Sequence, residues 1–454
     1  MTIRENAAII AEFVADLRGT ELPPEVVIIA KQSLIDWFAV CIAAVQDGEA
    51  RLAADTIHAW KSSGNAVSVD GRSGSAAPIA LINGTYSHAL DYDDFHIASV
   101  HHAGGPTFAA ALAVAMDHGC SGQDALKAFV SAFEVSTQIG MNDVGLSLGN
   151  AGWHPTCILG HISSTIACAT LLKLDCQQIE NALGFAAAQA GGLMSSAGTI
   201  AKPFLVGKSA MAGVISAELT VRGLRAPRHL LEGASGLFAT LFQKNVAPEL
   251  HRLGREWQML QNTFKPYSAC QLTHASIDVA RTLSSQFEAA AVSSVKAYVN
   301  PFALKIAGHE QPSSPLQARF SLKHCIAMAL LGHGASPADF TDESVKDSQI
   351  ARLRDLIEIV PTEGVSRTSA RLEVVANGKQ NAATTSAALG SLGRPMSMVA
   401  TEDKFLESVV NELGSRSKTM LDALKSFEQR GAIEEVAKLL RSIQGQAHPS
   451  PAAV

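Results

Sequence analysis

Ala370-Arg-Leu-Glu-Val-Val-Ala376, followed by Asn377-Gly378, is the stretch on which the fold turns. Apolar and polar residues alternate there with a period of two, as in a half-buried strand, and Asn-Gly suits the positive φ of a type I′ hairpin turn. A Thr- and Ala-rich return strand follows. Upstream, Val292–Val299 and 303–306 are rich in β-branched or apolar residues and read as extended, and Ile357–Pro361 leads toward the hairpin. Helical spacing intervenes at 320–331 and 346–356. The segment from 273 to about 390 therefore reads as a small α+β domain.

Everything before about Phe264 follows a different pattern. Apolar residues recur at helical spacing from 7 to 45, restarted by Pro23-Pro24, and again at 76–88, 105–117, 122–139, 160–172, Cys176–Gln189 and 208–222. Helical periodicity returns from Asp403 onward, and the tail at 445–454 reads as frayed. The expected fold is mainly α: a discontinuous, all-helical domain of 1–268 and 395–454, into which an α+β domain of 269–394 is inserted.

The 454 residues agree with two domains, being more than one core usually organises. Hydrophobic residues make up 47%, charged residues 17%, and mean hydropathy is +0.15, which excludes a disordered or coiled-coil chain. Aromatics are only 6%, so the core must be built mainly from Ala, Leu, Val and Ile in close helix packing. A net charge of -6 without any run of Lys or Arg argues against a nucleic-acid partner. Seven scattered cysteines without a C-x-x-C pair read as reduced, mostly buried thiols. The start MTIRENAAIIAEF lacks an apolar segment with a cleavage site, so the cytoplasm is expected. The longest stretch free of charge and His, 181–201, is too weakly apolar for a membrane span and reads as buried helix and loop.

Several common catalytic devices are missing. The sequence contains no G-x-x-x-x-G-K-[ST], no G-x-G-x-x-G after a strand, no H-E-x-x-H and no clustered Cys for an iron-sulfur centre. Gly145-Leu-Ser-Leu-Gly149 matches G-x-S-x-G, but no strand precedes it, and it reads as a glycine-bounded loop. What stands out is Asp91, Asp93, Asp94, His96, His101 and His102, flanked by His88 and His118: five of the fifteen histidines lie between 88 and 118. Such density in an apolar domain marks the first place to seek proton-transfer groups. The competing readings are helix-capping or solvated aspartates and a divalent-cation site, the latter without EF-hand order or a helical i,i+4 His pair. Before the pattern changes near Lys265, three basic residues each precede proline: His154, Lys202 and Lys265. Extended geometry before proline would project each from a loop at a helix boundary, where Lys and His converging on one apolar pocket would hold a polyanion.

These residues resemble the MmgE/PrpD family, which includes 2-methylcitrate dehydratases, cis-aconitate decarboxylases and iminodisuccinate epimerase. Asn83-Gly84, then His88-Ala-Leu-Asp-Tyr-Asp-Asp94, is similar to the family's N-G-x-x-x-H-x-x-D-[FY]-D-D signature. His101-His102-Ala103-Gly104 is similar to its H-P-[ST]-G segment. His154-Pro155, Lys202-Pro203 with Gly207, Phe264-Lys265 with His274, and Gly393-Arg-Pro-Met-Ser-Met398 with Lys404-Phe405 follow in matching order. The resemblance implies a cofactor-free, metal-free homodimeric enzyme with a helical domain, an α+β lid domain and an active site between them for small di- or tricarboxylates. It places catalytic roles on Asp91, His101, His154, Lys202 and Lys265, with His102, Tyr267 and His274 as substrate-binding residues. Two departures stand out. The Thr that follows D-D in many dehydratases and decarboxylases is Phe95 here, and the decarboxylases' lid-domain Tyr has no counterpart near Leu304.

The chemistry this implies is proton removal and return at a carbon next to a carboxylate. A positioned base is worth on the order of 10²–10⁴ in rate, and fixed positive charge must meet the developing enolate oxygen. His101 or His154 suits the first role, with Asp91 orienting an imidazole, and Lys202 and Lys265 suit the second. With the Thr absent, epimerisation of an iminodisuccinate-like amino dicarboxylate is the leading expectation. The alternatives are a dehydratase or decarboxylase lyase, a carboxylate-binding protein without a reaction, and a metal-dependent hydrolase built on the Asp/His cluster.

Overall fold

The computed structural model describes residues 5–227, 229–242 and 248–443. The first four residues and the tail at 445–454 lie outside them. The chain clusters into two units: 1–89, 93–262 and 398–454 form the first, and 90–92 with 263–397 form the second. The second unit thus starts at Thr263 rather than at 269, ends at Ser397 rather than at 394, and includes Asp91.

The first unit is built on helices. Helix Pro155–Leu171 is buried along its whole length, and Ala76–Ala89 and Gly104–His118 nearly so. Helices apolar on every face belong at the centre of a core. Ala201–Val221 packs across Ala76–Ala89 and Pro155–Leu171, while Gly122–Gly140 flanks the latter. The crossing of Ala201–Val221 over Ala76–Ala89 is set by two glycines. A Cβ on Gly84 would stand 2.6 Å from Gly207 Cα, and one on Gly207 would stand 2.2 Å from Leu81 O. Only bare backbone lets these helices approach so closely.

Capping follows the sequence. Ser121 with Asp124 and Asp175 with Gln178 form capping boxes, and Pro24 opens helix Pro24–Ala43. Buried Glu134 accepts the backbone N–H groups of Gln258 at 2.9 Å and Met259 at 2.7 Å, holding the turn Gln258–Gln261 to helix Gly122–Gly140. The returning helix Met398–Leu413 lies against Pro24–Ala43, pinned by a buried ion pair, Lys404 Nζ to Asp36 Oδ1 at 2.7 Å. Pro24–Gln46 and Ala201–Val221 are long and apolar enough to cross a bilayer by composition, yet both pack against other helices of this unit. All seven cysteines are free thiols, five of them buried.

The second unit holds a four-stranded sheet in the order Ile357–Pro361, Val292–Val299, Ala370–Ala376, Lys379–Thr385. The first pair is parallel and the others antiparallel. Asn377 and Gly378 both take positive φ in the hairpin turn. Ala370, Leu372, Val374 and Ala376 face inward against helix His274–Ser284, which itself packs on Leu322–Leu330.

Several expectations change. Residues 303–306 are not extended but part of helix Pro301–Ile306, because Asn300 caps Phe302 N at 2.9 Å and Pro301 sits in the first turn. A short hairpin, Ala66–Val67 with Ser73–Gly74, interrupts the expected all-helical half. Residues 145–149 lie within helix Val144–Asn150, not in a loop. The helix expected at 346–356 is two, because Asp347 leaves helical geometry to cap Gln349 and Ile350. After Gln189, residues 190–200 are half-exposed rather than buried.

Candidate active site

His88 closes helix Ala76–Ala89, and the two aspartates that follow in the first unit divide the work. Asp94 is structural: its Oδ1 accepts from Gly104 N at 3.0 Å and its Oδ2 from Asn262 Nδ2 at 2.8 Å. Burial nevertheless raises its carboxyl to about 7, against the Asn262 hydrogen bond. The capping alternative thus fits Asp94.

Asp93 holds imidazoles. Its Oδ2 lies 2.7 Å from His88 Nδ1 and 3.3 Å from His102 Nδ1. Burial alone would raise this carboxyl, but His102 and His88 beside it hold it well below the usual range, so it is ionised and His88 Nδ1 must be the donor. Burial lowers His88 to about 4, with Asp93 opposing and Lys202 adding to the effect, so its ring is neutral at physiological pH. Around His88, the rings of His102 and His154 stand edge-on at 4.8 and 5.9 Å, and Phe95 tilts over His102 at 4.7 Å.

His101 and His102 separate sharply. His101 is wholly enclosed, and neither of its ring nitrogens has a hydrogen bond among the described residues. Burial, then His102 and His96, hold its basicity well below the imidazole range. By contrast, the His102 side chain is 13% exposed. Its backbone N–H donates to Thr156 Oγ1 at 3.0 Å, fixing the residue against helix Pro155–Leu171.

His154 is the N-cap residue of that helix and is extended, as the following proline requires. Its Nδ1 lies 3.4 Å from Cys157 Sγ, a thiol that burial pushes up to about 12 despite Lys202 and Lys208. Lys202 does not project from a loop. It lies in the first turn of Ala201–Val221, buried, with Pro203 behind it. In a first turn proline's missing N–H costs no hydrogen bond, so the helix runs through it. The Lys202 charge lowers both the His88 imidazole, alongside burial, and the Cys157 thiol, against it.

The second unit gathers the remaining expected residues. Lys265 Nζ donates to Asp91 O at 2.8 Å and to Asp91 Oδ2 at 3.0 Å, both side chains being buried. Asp91 takes a positive φ of 48°, which turns its backbone carbonyl and carboxylate onto the same ammonium. Asp91, expected to orient an imidazole, instead meets Lys265 with its carboxylate, and Asp93 is the carboxylate seen beside the rings of His88 and His102. Tyr267 donates to Asp278 Oδ1 at 2.5 Å and meets the His274 ring edge-on at 5.2 Å, and His274 Nε2 lies 3.0 Å from Ala269 O.

His88, Asp93 and His102 also bring three potential ligand atoms within 4.8 Å of one another. His88 Nδ1 is hydrogen-bonded to Asp93 Oδ2, which His102 Nδ1 approaches to 3.3 Å, so the set is a carboxylate held between two rings rather than three lone pairs aimed at a common point. It can relay and hold protons next to an ammonium.

Residues 8–249 match the MmgE/PrpD N-terminal domain and residues 267–427 match the MmgE/PrpD C-terminal domain. The chain belongs to the MmgE/PrpD family. Among its relatives in the family, the cis-aconitate decarboxylase of Aspergillus terreus is 27% identical over 287 residues, covering 58% of this chain and 59% of that protein. The cis-aconitate decarboxylase-like protein oryM of Aspergillus oryzae is 27% identical over 296 residues, 61% of each. Human cis-aconitate decarboxylase is 24% identical over 396 residues, 82% of this chain and 80% of that protein. The match thus spans about three fifths of the length of the two Aspergillus relatives.

In the sequence alone His88 and Asp93 carry no assigned role, and Cys157 reads as one more buried thiol. The MmgE/PrpD signature held the signal for the first two, since it carries the His five positions ahead of an Asp. That spacing spans the end of a helix, where the chain can fold the carboxylate back onto the ring.

Proposed function

We propose that this chain is an enzyme that moves a proton at the carbon next to a carboxylate in a small di- or tricarboxylate, using its own side chains. One observation carries the reading: Asp93 Oδ2 stands 2.7 Å from His88 Nδ1 and 3.3 Å from His102 Nδ1, with Lys202 lowering the His88 imidazole. Two imidazoles on one ionised carboxylate give a positioned acid/base pair. The Lys202 ammonium would meet a substrate carboxylate and the enolate oxygen.

The relatives, named as decarboxylases, favour a lyase outcome over the epimerisation that the sequence suggests. Epimerisation of an amino dicarboxylate stands as the second reading because Phe95, tilted against His102, supplies no hydroxyl to a leaving group. The purified chain is incubated in D₂O with cis-aconitate, 2-methylcitrate, citrate or iminodisuccinate and followed by NMR, with and without chelator. Net CO₂ or water release identifies a lyase, and label without net conversion identifies an epimerase. Neither label nor product from any of the four would defeat the proposal, and activity that vanishes in chelator would replace it with a metal-dependent reaction.

A further inference from the structure

We propose that His102 and Phe95 act as a pair that decides the fate of the deprotonated substrate, His102 returning a proton to carbon and Phe95 denying the leaving group a hydroxyl. The inference rests on the proton-transfer reading above and goes beyond it by assigning the outcome to two residues.

Four observations point to this pair. In the resemblance described above, Phe95 stands in place of the Thr after D-D and His102 in place of the Pro of H-P-[ST]-G. The two departures touch, their rings 4.7 Å apart. A ring so packed has its χ2 restricted, which an acid delivering a proton to one face of a carbon requires. His102 also uses both its backbone and its side chain: its N–H donates to Thr156 Oγ1 at 3.0 Å, a bond no proline could make, and its Nδ1 lies 3.3 Å from Asp93. Finally, His88 and His101 beside it are closed off from solvent, whereas His102 is partly open.

With Nδ1 turned to Asp93, Nε2 is the edge of the ring left for chemistry. In the step assigned to it, the Nε2–H bond of the imidazolium breaks and the proton joins the enolate carbon as the C=O re-forms. The ring is left neutral and regains its proton from water. No oxidant, reductant or further reactant enters. A hydroxyl at position 95 would instead assist departure of a neighbouring group, and its replacement by an apolar ring tips the intermediate toward reprotonation.

The test compares the full chain with Phe95→Thr and His102→Gln, using the same four substrates in D₂O. The readout is the ratio of deuterium entering recovered substrate or epimer to CO₂ or water released. His102→Gln should lower that ratio on the order of 10²-fold, the usual contribution of a positioned acid. Phe95→Thr should lower it as well, through a larger share of release. Should His102→Gln fail to fold, His102→Asn, which keeps the backbone bond to Thr156, carries the same measurement. A ratio unchanged in folded variants of both residues, or exchange and release falling by the same factor, overturns the pair while the proposed function stands. An unaltered chain inert toward all four substrates overturns both.

Discussion

A single oxygen, Asp93 Oδ2, serves two imidazoles, so its loss should cost more than the loss of either ring. Asp93→Asn removes the charge that fixes both Nδ1 atoms, and turnover should fall on the order of 10²–10⁴. Because this carboxyl is held well below its ordinary range, it contributes stability at neutral pH that is lost as pH falls through the folded value. The urea midpoint of Asp93→Asn should therefore trail the unaltered chain at pH 7, with the gap narrowing only below about pH 4. The local density of Asp and His made this region legible in the sequence. The division of labour within it was not, because it depends on where helix Ala76–Ala89 ends. Asp91 turns through positive φ onto Lys265, leaving Asp93 for the rings and Asp94 for Gly104. A one-residue change in that turn would exchange those partners, and no periodicity encodes it.

At the scale of elements, the decisive contact is the glycine crossing that sets the helix of Lys202 against the helix of His88. A methyl on Gly207 would meet Leu81 O at 2.2 Å, and backbone cannot step aside as a side chain can. Gly207→Ala should destabilise by about 1–3 kcal/mol or more and displace Lys202 from His88, seen as a lower urea midpoint together with reduced turnover. Glu134 tests a different joint. Burial raises its carboxyl to about 7, with the Gln258 and Met259 amides pulling the other way. A raised folded value means that its contribution is present below the unfolded value and is lost as pH climbs through about 7. The stability advantage of the unaltered chain over Glu134→Gln should thus be larger at pH 5 than at pH 8 in urea titrations. The strands were the most legible elements, since alternation and Asn377-Gly378 each signal a hairpin on their own. The misreadings came where an apolar run hid a capping signal: Asn300-Pro301 starts a helix, and Lys202-Pro203 lies inside one. Apolar composition cannot choose between strand and helix over four residues.

For the whole molecule, the first unit is assembled from both ends of the chain, and its seal is the ion pair between Lys404 and Asp36. Both side chains are at most 3% exposed. Lys404→Met would leave a carboxylate in the core without that ammonium, at a cost of about 3–5 kcal/mol, measured as a shift in the denaturation midpoint of the full chain. The discontinuity was visible in the return of helical spacing after residue 403, but the seal was not, because a lone Lys in an amphipathic helix looks like any surface group. The arrangement also has a consequence in time. During synthesis helix Pro24–Ala43 is made early, yet the helix that covers it, Met398–Leu413, is made only after the whole of 263–397. At roughly 5–20 residues per second, the interval spent on the stretch 44–397 between them is some tens of seconds. Throughout it, the nascent chain must carry an apolar helix face, with Asp36 at its centre, that has no partner yet in existence.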